Sequence, residues 1–221
     1  YYMVIWNNGS EPAVIVYART LTNSPVLGQW VFPIGIADYG IALINDSILA
    51  YSYETNEFVG KVTINNALTQ EPDSCPSGSV EPGSNWFSIQ LNAVMIVNTT
   101  NGQTQYYWLQ DVLQFDSLND EYRFLDNVWN VSSIYSILSN STITGNGVVS
   151  FNASYWYWYA TKIMQATPPF TAYLVIKTGL TSSGYPWVAF GYSHNGKVIT
   201  WFDNVTINVP ATSAYMEVSP T

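Results

Sequence analysis

The segment QYYWLQDVLQFDSLNDEYRFLDNVWN, residues 105–130, contains two strand-like runs joined by a short polar turn. Both runs are rich in aromatic and aliphatic residues, and they carry Gln110, Asp111 and Asp126 among those apolar neighbours. Successive side chains of a strand point to opposite faces, so Gln110 and Asp111 are predicted to face opposite sides of one sheet. Carboxyls placed among bulky apolar side chains are candidates for raised pKa values and for acid–base chemistry.

Strand patterns recur along the rest of the chain. Three Asn-Gly pairs, at residues 101–102, 146–147 and 195–196, suit tight hairpin turns, and the first and third lie between strand-like runs. The predicted strands are residues 13–21, 34–44, 58–64, 88–97, 104–115, 122–127, 148–157, 172–177, 187–192 and 197–209.

This pattern predicts an all-β fold, an antiparallel β-sandwich or jelly-roll-like architecture with short turns and little helix. A short helix is predicted only at residues 131–138, with one further helical turn at residues 160–165. Residues 1–32 are predicted to form an N-terminal arm or an edge strand, and residues 33–221 a single domain.

The composition restricts the partners of the chain. Charged residues make up 10% of its 221 residues, against roughly 25% in ordinary soluble domains, and 15 acidic residues outnumber 6 basic ones, which gives a net charge of −9. Nucleic acids and anionic membrane surfaces both require basic patches, so neither is expected as a partner. A surface of amides and hydroxyls suits an acidic medium, because few ion pairs are lost when carboxyls are protonated. No apolar run reaches the roughly 20 residues of a membrane helix, so no membrane insertion is expected.

Seven Asn-x-Ser/Thr sequons indicate an exported chain that carries N-linked glycans, located outside the cell or at its surface. The chain starts at Tyr1 and not at Met, which suggests a mature or trimmed product. Cys75 has no partner for an internal disulfide. The sequon asparagines are Asn8, Asn45, Asn98, Asn130, Asn140, Asn152 and Asn204.

Carboxylates are the main chemical tools that the sequence offers. His194 precedes a turn, an exposed place for a catalytic base, and one His with one Cys serves zinc poorly, so neither a metal nor another cofactor is expected. Two carboxyls close together share one proton; the ionised one activates water and the protonated one assists the leaving group. Asp-Asn-Val occurs twice, at residues 126–128 and 203–205, and is typical of a strand-entry turn as much as of a catalytic site. The candidate acids in structured, apolar contexts are Asp38, Glu54, Glu57, Asp111, Asp126 and Asp203.

Five segments together resemble the thermopsin family of secreted archaeal acid proteases, in the same order and with similar spacing. They are PIGIADYG (residues 33–40), YSYETNEFVG (51–60), SIQLN (88–92), YWLQDV (107–112) and DNVWN (126–130). The resemblance implies an extracellular endopeptidase that acts on polypeptides at low pH and high temperature, is made as a precursor and needs no metal. A looser similarity of YWLQDV and of YWYWY (155–159) to glutamic peptidases favours a role for Gln110.

On this basis we assign Asp38 and Asp126 as the predicted acid pair and Gln110 as the predicted support for the oxyanion. Tyr107, Trp108 and Trp129 are predicted to line the substrate subsites. Two alternatives stay open at this point. One is a non-catalytic surface or filament subunit of the same fold that self-assembles through residues 1–20; the other is a sandwich-type glycosidase or lectin, since paired carboxyls and many Trp residues also suit sugars.

Overall fold

The computed structural model describes residues 41–44, 47–50, 53–65, 86–152 and 154–218. These residues are strands, turns and bends, and no helix occurs among them. The strands are β1 (Ile41–Ile44), β2 (Ser47–Ala50), β3 (Tyr53–Thr55), β4 (Glu57–Ile64), β5 (Trp86–Thr99), β6 (Thr104–Asp116), β7 (Glu121–Asn130), β8 (Ile143–Thr144), β9 (Val148–Asn152), β10 (Ser154–Ala160), β11 (Met164–Gln165), β12 (Phe170–Leu180), β13 (Pro186–Ser193), β14 (Thr200–Ile207) and β15 (Ala211–Val218).

Two antiparallel sheets organise the compact unit Glu54–Glu217. The larger sheet has eight strands in the order β3-β15-β5-β6-β7-β10-β9, with β11 paired to β7. The smaller sheet has the order β4-β12-β13-β14-β8. Strands β1 and β2 belong to a separate compact unit, where they pair with each other as an antiparallel hairpin.

The core lies between the inward faces of the two sheets. Along β7 the residues alternate between buried and half-buried, which places Tyr122, Phe124, Asp126 and Val128 on the inward face. The core cluster joins residues of both sheets, and Phe115 of the larger sheet contacts Phe170 of the smaller one at 6.2 Å between ring centroids. Burial of these apolar faces stabilises the sandwich, at about 25 cal/mol per Å² of apolar surface.

The predicted fold class is confirmed, and the hairpins at Gly102 and Gly196 are confirmed too. Both glycines have positive φ, +84° and +69°, as tight turns require. The short helix predicted at residues 131–138 is wrong, because that segment forms bends and turns between β7 and β8. Residues 160–165 likewise form no helix and end in β11. The strand predicted at residues 148–157 is divided between β9 and β10.

Several predictions fall on residues outside the described ranges. These are the N-terminal arm at residues 1–32 with the self-assembly segment at residues 1–20, the strand at residues 13–21, Asp38, Cys75 and the sequon residues Asn8 and Asn45.

Candidate active site

Two aspartates from facing sheets meet in the interior of the sandwich. Asp126 comes from β7 of the larger sheet and Asp203 from β14 of the smaller one. Both side chains are buried, with 0% and 2% of their surface exposed. Burial raises the pKa of Asp126 well above its ordinary value, and the neighbouring carboxyl of Asp203 raises it further by repulsion and by a side-chain hydrogen bond. The two carboxyls therefore form an interacting pair.

A β-bulge turns Asp203 towards the interior. In the pairing of β13 with β14, Phe190 lies opposite Asp203 and Gly191 lies opposite Trp201, so Phe202 is the extra residue of β14. A bulge interrupts the alternation of side chains and lets two consecutive residues point to one face. Phe202 also reaches the interior, where its ring lies 6.3 Å from that of Phe124.

Three hydrogen bonds hold the carboxylate of Asp203. The backbone N–H groups of Asn146 and Asn204 donate to Oδ1 at 2.9 and 2.8 Å, and the hydroxyl of Tyr157 donates to Oδ2 at 2.5 Å. The backbone N–H of Gly147 donates in turn to the Tyr157 hydroxyl at 2.6 Å. Donors directed at both oxygens favour the ionised form of a carboxyl, so Asp203 is the member of the pair best able to carry the negative charge.

Asp126 has fewer donors and is suited to hold a proton. Its Oδ1 accepts from the backbone N–H of Tyr159 at 3.1 Å, while the buried Oδ2 has no hydrogen-bond donor when both carboxyls are ionised. A proton on Asp126 turns Oδ2 into a donor towards Asp203. One proton shared by the pair therefore satisfies the buried oxygen and removes the repulsion between two negative charges.

A third carboxyl lies beside the pair. Asp111 pairs directly opposite Asp126 in the register of β6 and β7, so the two side chains share the inward face. Asp111 is fully buried; its Oδ2 accepts from the backbone N–H of Val175 at 2.9 Å and its Oδ1 has no partner. Burial raises the pKa of Asp111 well above its ordinary value, although backbone donors lower it in part. The interior thus holds three carboxyls within one electrostatic neighbourhood.

The loop between β8 and β9, residues 145–147, closes over Asp203 and Tyr157. A Cβ at Gly145 would lie 2.1 Å from the Tyr157 hydroxyl, and a Cβ at Gly147 would lie 2.1 Å from the carbonyl oxygen of Trp158. Only glycine allows the backbone to approach so closely at these positions. The Asn-Gly pair at residues 146–147 therefore belongs to this loop, which links the two sheets, and not to a hairpin.

The structure places Gln110 on the face opposite to Asp126. Its amide nitrogen donates to Oε1 of Gln90 at 2.7 Å and to Oδ1 of Asn92 at 2.9 Å, and it pairs in register with Asn127. These four amides form a polar cluster on the outward face of the larger sheet. The predicted opposition of Gln110 and Asp111 is confirmed, and it separates Gln110 from the carboxyl pair by the thickness of the sheet. Gln110 is therefore not placed to support an oxyanion at Asp126.

The predicted subsite residues also divide between the two faces. Tyr107 belongs to the core, with 2% exposure, a hydroxyl bonded to Oε1 of Gln105 at 2.6 Å and a pKa that burial raises to about 12. The rings of Trp108 and Trp129 contact each other in a tilted arrangement on the outward face, with centroids 5.0 Å apart, next to Gln110. None of the three lies beside Asp126 on an accessible surface, because Tyr107 is enclosed and the two Trp residues face away from the pair.

His194 lies at the turn between β13 and β14, among aromatic rings. Its Nε2 is 3.3 Å from the Tyr122 hydroxyl, and the ring of Tyr192 is 5.3 Å away. No acidic side chain of the described residues is bonded to it. Within the described ranges, no three His, Cys, Asp or Glu side chains are grouped so that they could hold a metal ion.

Tyr157 and the loop at residues 145–147 are the parts of the site that sequence reasoning did not find. Asp203 is one of the candidate acids of the sequence, but Asp38 and not Asp203 is its predicted partner for Asp126. The repeated Asp-Asn-Val was the feature of the sequence that could have indicated this pair, since each copy supplies one of its two buried carboxyls. Chemically, the pair can activate water at one carboxyl and deliver a proton from the other.

Comparison with known proteins supports the resemblance noted in the sequence. The family model described as Thermopsin matches residues 11–221. A protein named Thermopsin from Sulfolobus acidocaldarius is 42% identical over 118 residues, which are 53% of this chain and 34% of that relative. The matched segment thus spans about a third of the relative's length. No solved structure matches the chain. The described residues include no helix that is long and apolar enough to cross a membrane.

Proposed function

Since the chain belongs to the thermopsin family, we propose that it is an endopeptidase that cleaves unfolded polypeptides in an acidic extracellular medium. Asp126 and Asp203 act as the catalytic pair, and no metal or other cofactor takes part. The observation that carries this proposal is the meeting of two buried carboxyls from facing sheets, one with a raised pKa and the other held by three donors.

The unequal surroundings of the two carboxyls assign their roles. Asp203 is the general base, because three hydrogen-bond donors stabilise its anion. Asp126 is the general acid, because its pKa is raised and it has one donor only. Two carboxyls can divide the roles of acid and base when their surroundings give them different pKa values.

The reaction proceeds in two proton-balanced steps. Asp203 takes a proton from water as the water oxygen bonds to the peptide carbonyl carbon, and Asp126 gives its proton to the carbonyl oxygen. The tetrahedral intermediate then loses the C–N bond. Asp203 delivers its proton to the leaving nitrogen, and Asp126 recovers a proton from one hydroxyl of the intermediate, which restores the starting pair.

Access to the pair requires a movement of the loop at residues 145–147. Both carboxyls are buried, and this loop donates to Asp203 and to Tyr157 through the N–H groups of Asn146 and Gly147. A loop of this kind excludes water while closed and admits an extended polypeptide when open.

The first prediction is the pH dependence of cleavage by the unmodified chain. Activity against an unfolded polypeptide is expected to depend on pH with a bell-shaped profile, whose two limbs report the coupled pair. The falling limb lies above the ordinary carboxyl range of about 4, since the pKa of Asp126 is raised. Peptide release measured from about pH 2 to 7 tests this profile.

A folded chain that releases no peptide at any acidic pH would exclude the endopeptidase. It would favour the alternative of a non-catalytic surface or filament subunit. Circular dichroism on the same samples establishes that the chain is folded.

The second prediction concerns Tyr157→Phe. The substitution removes the hydroxyl that donates to Oδ2 of Asp203 and accepts from Gly147. We expect turnover at the optimum pH to fall about tenfold, the lower end of what a charge-assisted hydrogen bond contributes, because the carboxylate of Asp203 loses a donor. Turnover and the pH profile are measured together on one substrate.

Tyr159→Phe is the matched control for this experiment. Tyr159 is the next inward-facing residue of β10, and its hydroxyl makes no hydrogen bond in the described part of the chain. The control is expected to retain both turnover and profile. Equal effects of the two substitutions would contradict a positioning role for Tyr157.

A further inference from the structure

A groove of about 340 Å³ crosses the outward face of the smaller sheet, on the opposite side of β14 from the carboxyl pair. It is lined by Trp187 and Trp201, with Ala189 between them as a floor and with Asn204 and Lys177 at the side. In register, Ala189 pairs with Asn204 and with Lys177, so these three residues form one row across the sheet. The groove is thus built by three adjacent strands, β12, β13 and β14.

Two glycines allow the indole rings to lie flat on the sheet. A Cβ at Gly179 would come within 3.0 Å of the Trp187 ring, and a Cβ at Gly191 would come within 2.7 Å of the Trp201 ring. Each ring therefore covers a glycine backbone and turns one face towards the outside. Trp201 has 43% of its surface exposed, a large fraction for an indole.

The polar groups of the groove are suited to hydroxyls. The side-chain amide of Asn204 is exposed and makes no hydrogen bond with another described residue. Nζ of Lys177 is 3.0 Å from a carboxylate oxygen of Glu57, and both side chains are about half exposed, so the lysine keeps donors for a further partner. Apolar ring faces bordered by amide and ammonium donors match a sugar ring, which has C–H groups on its faces and hydroxyls at its rim.

The sequon Asn204-Val205-Thr206 places a glycan acceptor inside this groove. We propose that Asn204 carries an N-linked glycan and that its first sugar rings pack into the groove between Trp187 and Trp201. In the modification, the amide nitrogen of Asn204 bonds to C1 of a lipid-phosphate-linked oligosaccharide, the bond from C1 to the phosphate oxygen breaks, and the amide proton is released.

The other sequons described with their side chains have different surroundings. The amide nitrogen of Asn98 is bonded to Ser213 at 2.9 Å, and the amide oxygen of Asn130 accepts from the hydroxyl of Ser132, which belongs to its own sequon. Asn140 is exposed in a turn and makes no side-chain hydrogen bond there. Asn140 therefore provides the matched comparison: an accessible sequon in a turn.

The test uses the full chain, secreted from a host that N-glycosylates Asn-x-Ser/Thr. Glycopeptide mass spectrometry measures occupancy at Asn204 and Asn140, and enzymatic release of glycans from the native protein measures their accessibility. We expect Asn204 to be occupied and its glycan to be released about tenfold more slowly than that of Asn140, the upper range for ring packing. Trp201→Ala is expected to remove most of this difference, whereas Trp108→Ala on the outward face of the other sheet is expected to preserve it.

Three results would overturn the proposal: an unmodified Asn204, equal release rates at Asn204 and Asn140, or slow release at Asn204 that Trp201→Ala does not change. The proposal rests on the export assumed in the proposed function. Its readouts are a mass and a release rate, so a chain that is glycosylated but does not cleave polypeptides refutes the proposed function alone.

Discussion

Asp126→Asn is expected to lower acid proteolysis by about 10²- to 10⁴-fold while leaving the fold intact. The amide oxygen can still accept from the N–H of Tyr159, and the amide nitrogen can donate to Asp203, as the protonated carboxyl does. The substitution therefore imitates the protonated form of the residue but has no proton to deliver. At neutral pH the variant is expected to be more stable than the parent, because a buried group that is costly to ionise has been removed.

This combination of lost activity and gained stability separates catalysis from support of the fold. A variant that loses activity because it unfolds would lose stability at every pH. Peptide release and thermal unfolding are measured on the same preparation. Asp120→Asn is the matched control, since Asp120 lies in the turn before β7 with φ of +53°, which asparagine also tolerates.

The partner of Asp126 is tested by two further variants. Asp203→Asn replaces one carboxylate oxygen with an amide nitrogen, so the acceptor of either the Tyr157 hydroxyl or the backbone N–H groups is lost. The variant is expected to lose activity in the same range as Asp126→Asn. Asp38 was predicted as the partner from the resemblance alone and lies outside the described residues. If Asp38→Asn abolishes cleavage and Asp203→Asn does not, the pair proposed from the geometry is contradicted and the predicted pair is supported.

Local patterns in the sequence were sufficient to predict β5, β6 and β7 of the larger sheet, but they did not predict β3, β11 or β15. The residues of β7 alternate between the two faces, and Asn101-Gly102 sits where the chain must turn between β5 and β6. The same alternation gave the opposition of Gln110 and Asp111. The same alternation, applied to the rest of β6, would have predicted Tyr107 on the inward face with Asp111 and Trp108 on the outward face with Gln110.

Contacts between the two sheets could not be predicted in this way. The pairing of Asp126 with Asp203 depends on how the sheets face each other and on the bulge at Phe202, which reverses the expected alternation in β14. The loop over the pair connects one sheet to the other. An Asn-Gly pair in the sequence does not show whether the chain forms such a connection or a hairpin. The two Asp-Asn-Val copies lie 77 positions apart in the sequence. Their identical residues were therefore the only indication that the two aspartates meet.

Thermal stability of the chain is expected to be highest in acid and to fall as the pH rises towards neutrality. Asp111 and Asp126 both have pKa values raised well above the ordinary value, mainly by burial. The folded state thus binds protons that the unfolded state releases at about pH 4. Their stabilising contribution is complete below that pH and is lost as the pH rises towards the folded-state pKa values. Each proton held only by the folded state costs about 1.4 kcal/mol of stability for every pH unit of that rise.

Ion pairs contribute little to stability in the described part of the chain. The ion pair between Lys177 and Glu57 is the one found among the described residues, and both of its side chains are about half exposed. Exposed pairs contribute about 0–1 kcal/mol, so protonation of Glu57 removes little stability. The balance differs from that of proteins in which paired carboxylates have lowered pKa values and whose stability falls in acid.

Asp111→Asn removes the third carboxyl, together with a repulsion that helps to raise the pKa of Asp126, and leaves both residues of the catalytic pair in place. The amide oxygen can accept from the N–H of Val175 as the carboxylate does, while the group no longer titrates. The decline in unfolding temperature between about pH 4 and 7 should therefore become shallower than in the parent, and Asp120→Asn should leave it unchanged. An unfolding temperature that rises from acid to neutral pH in the parent chain would show that these carboxyls are ionised in the folded state. The pair would then hold no shared proton, which contradicts the proposed catalysis.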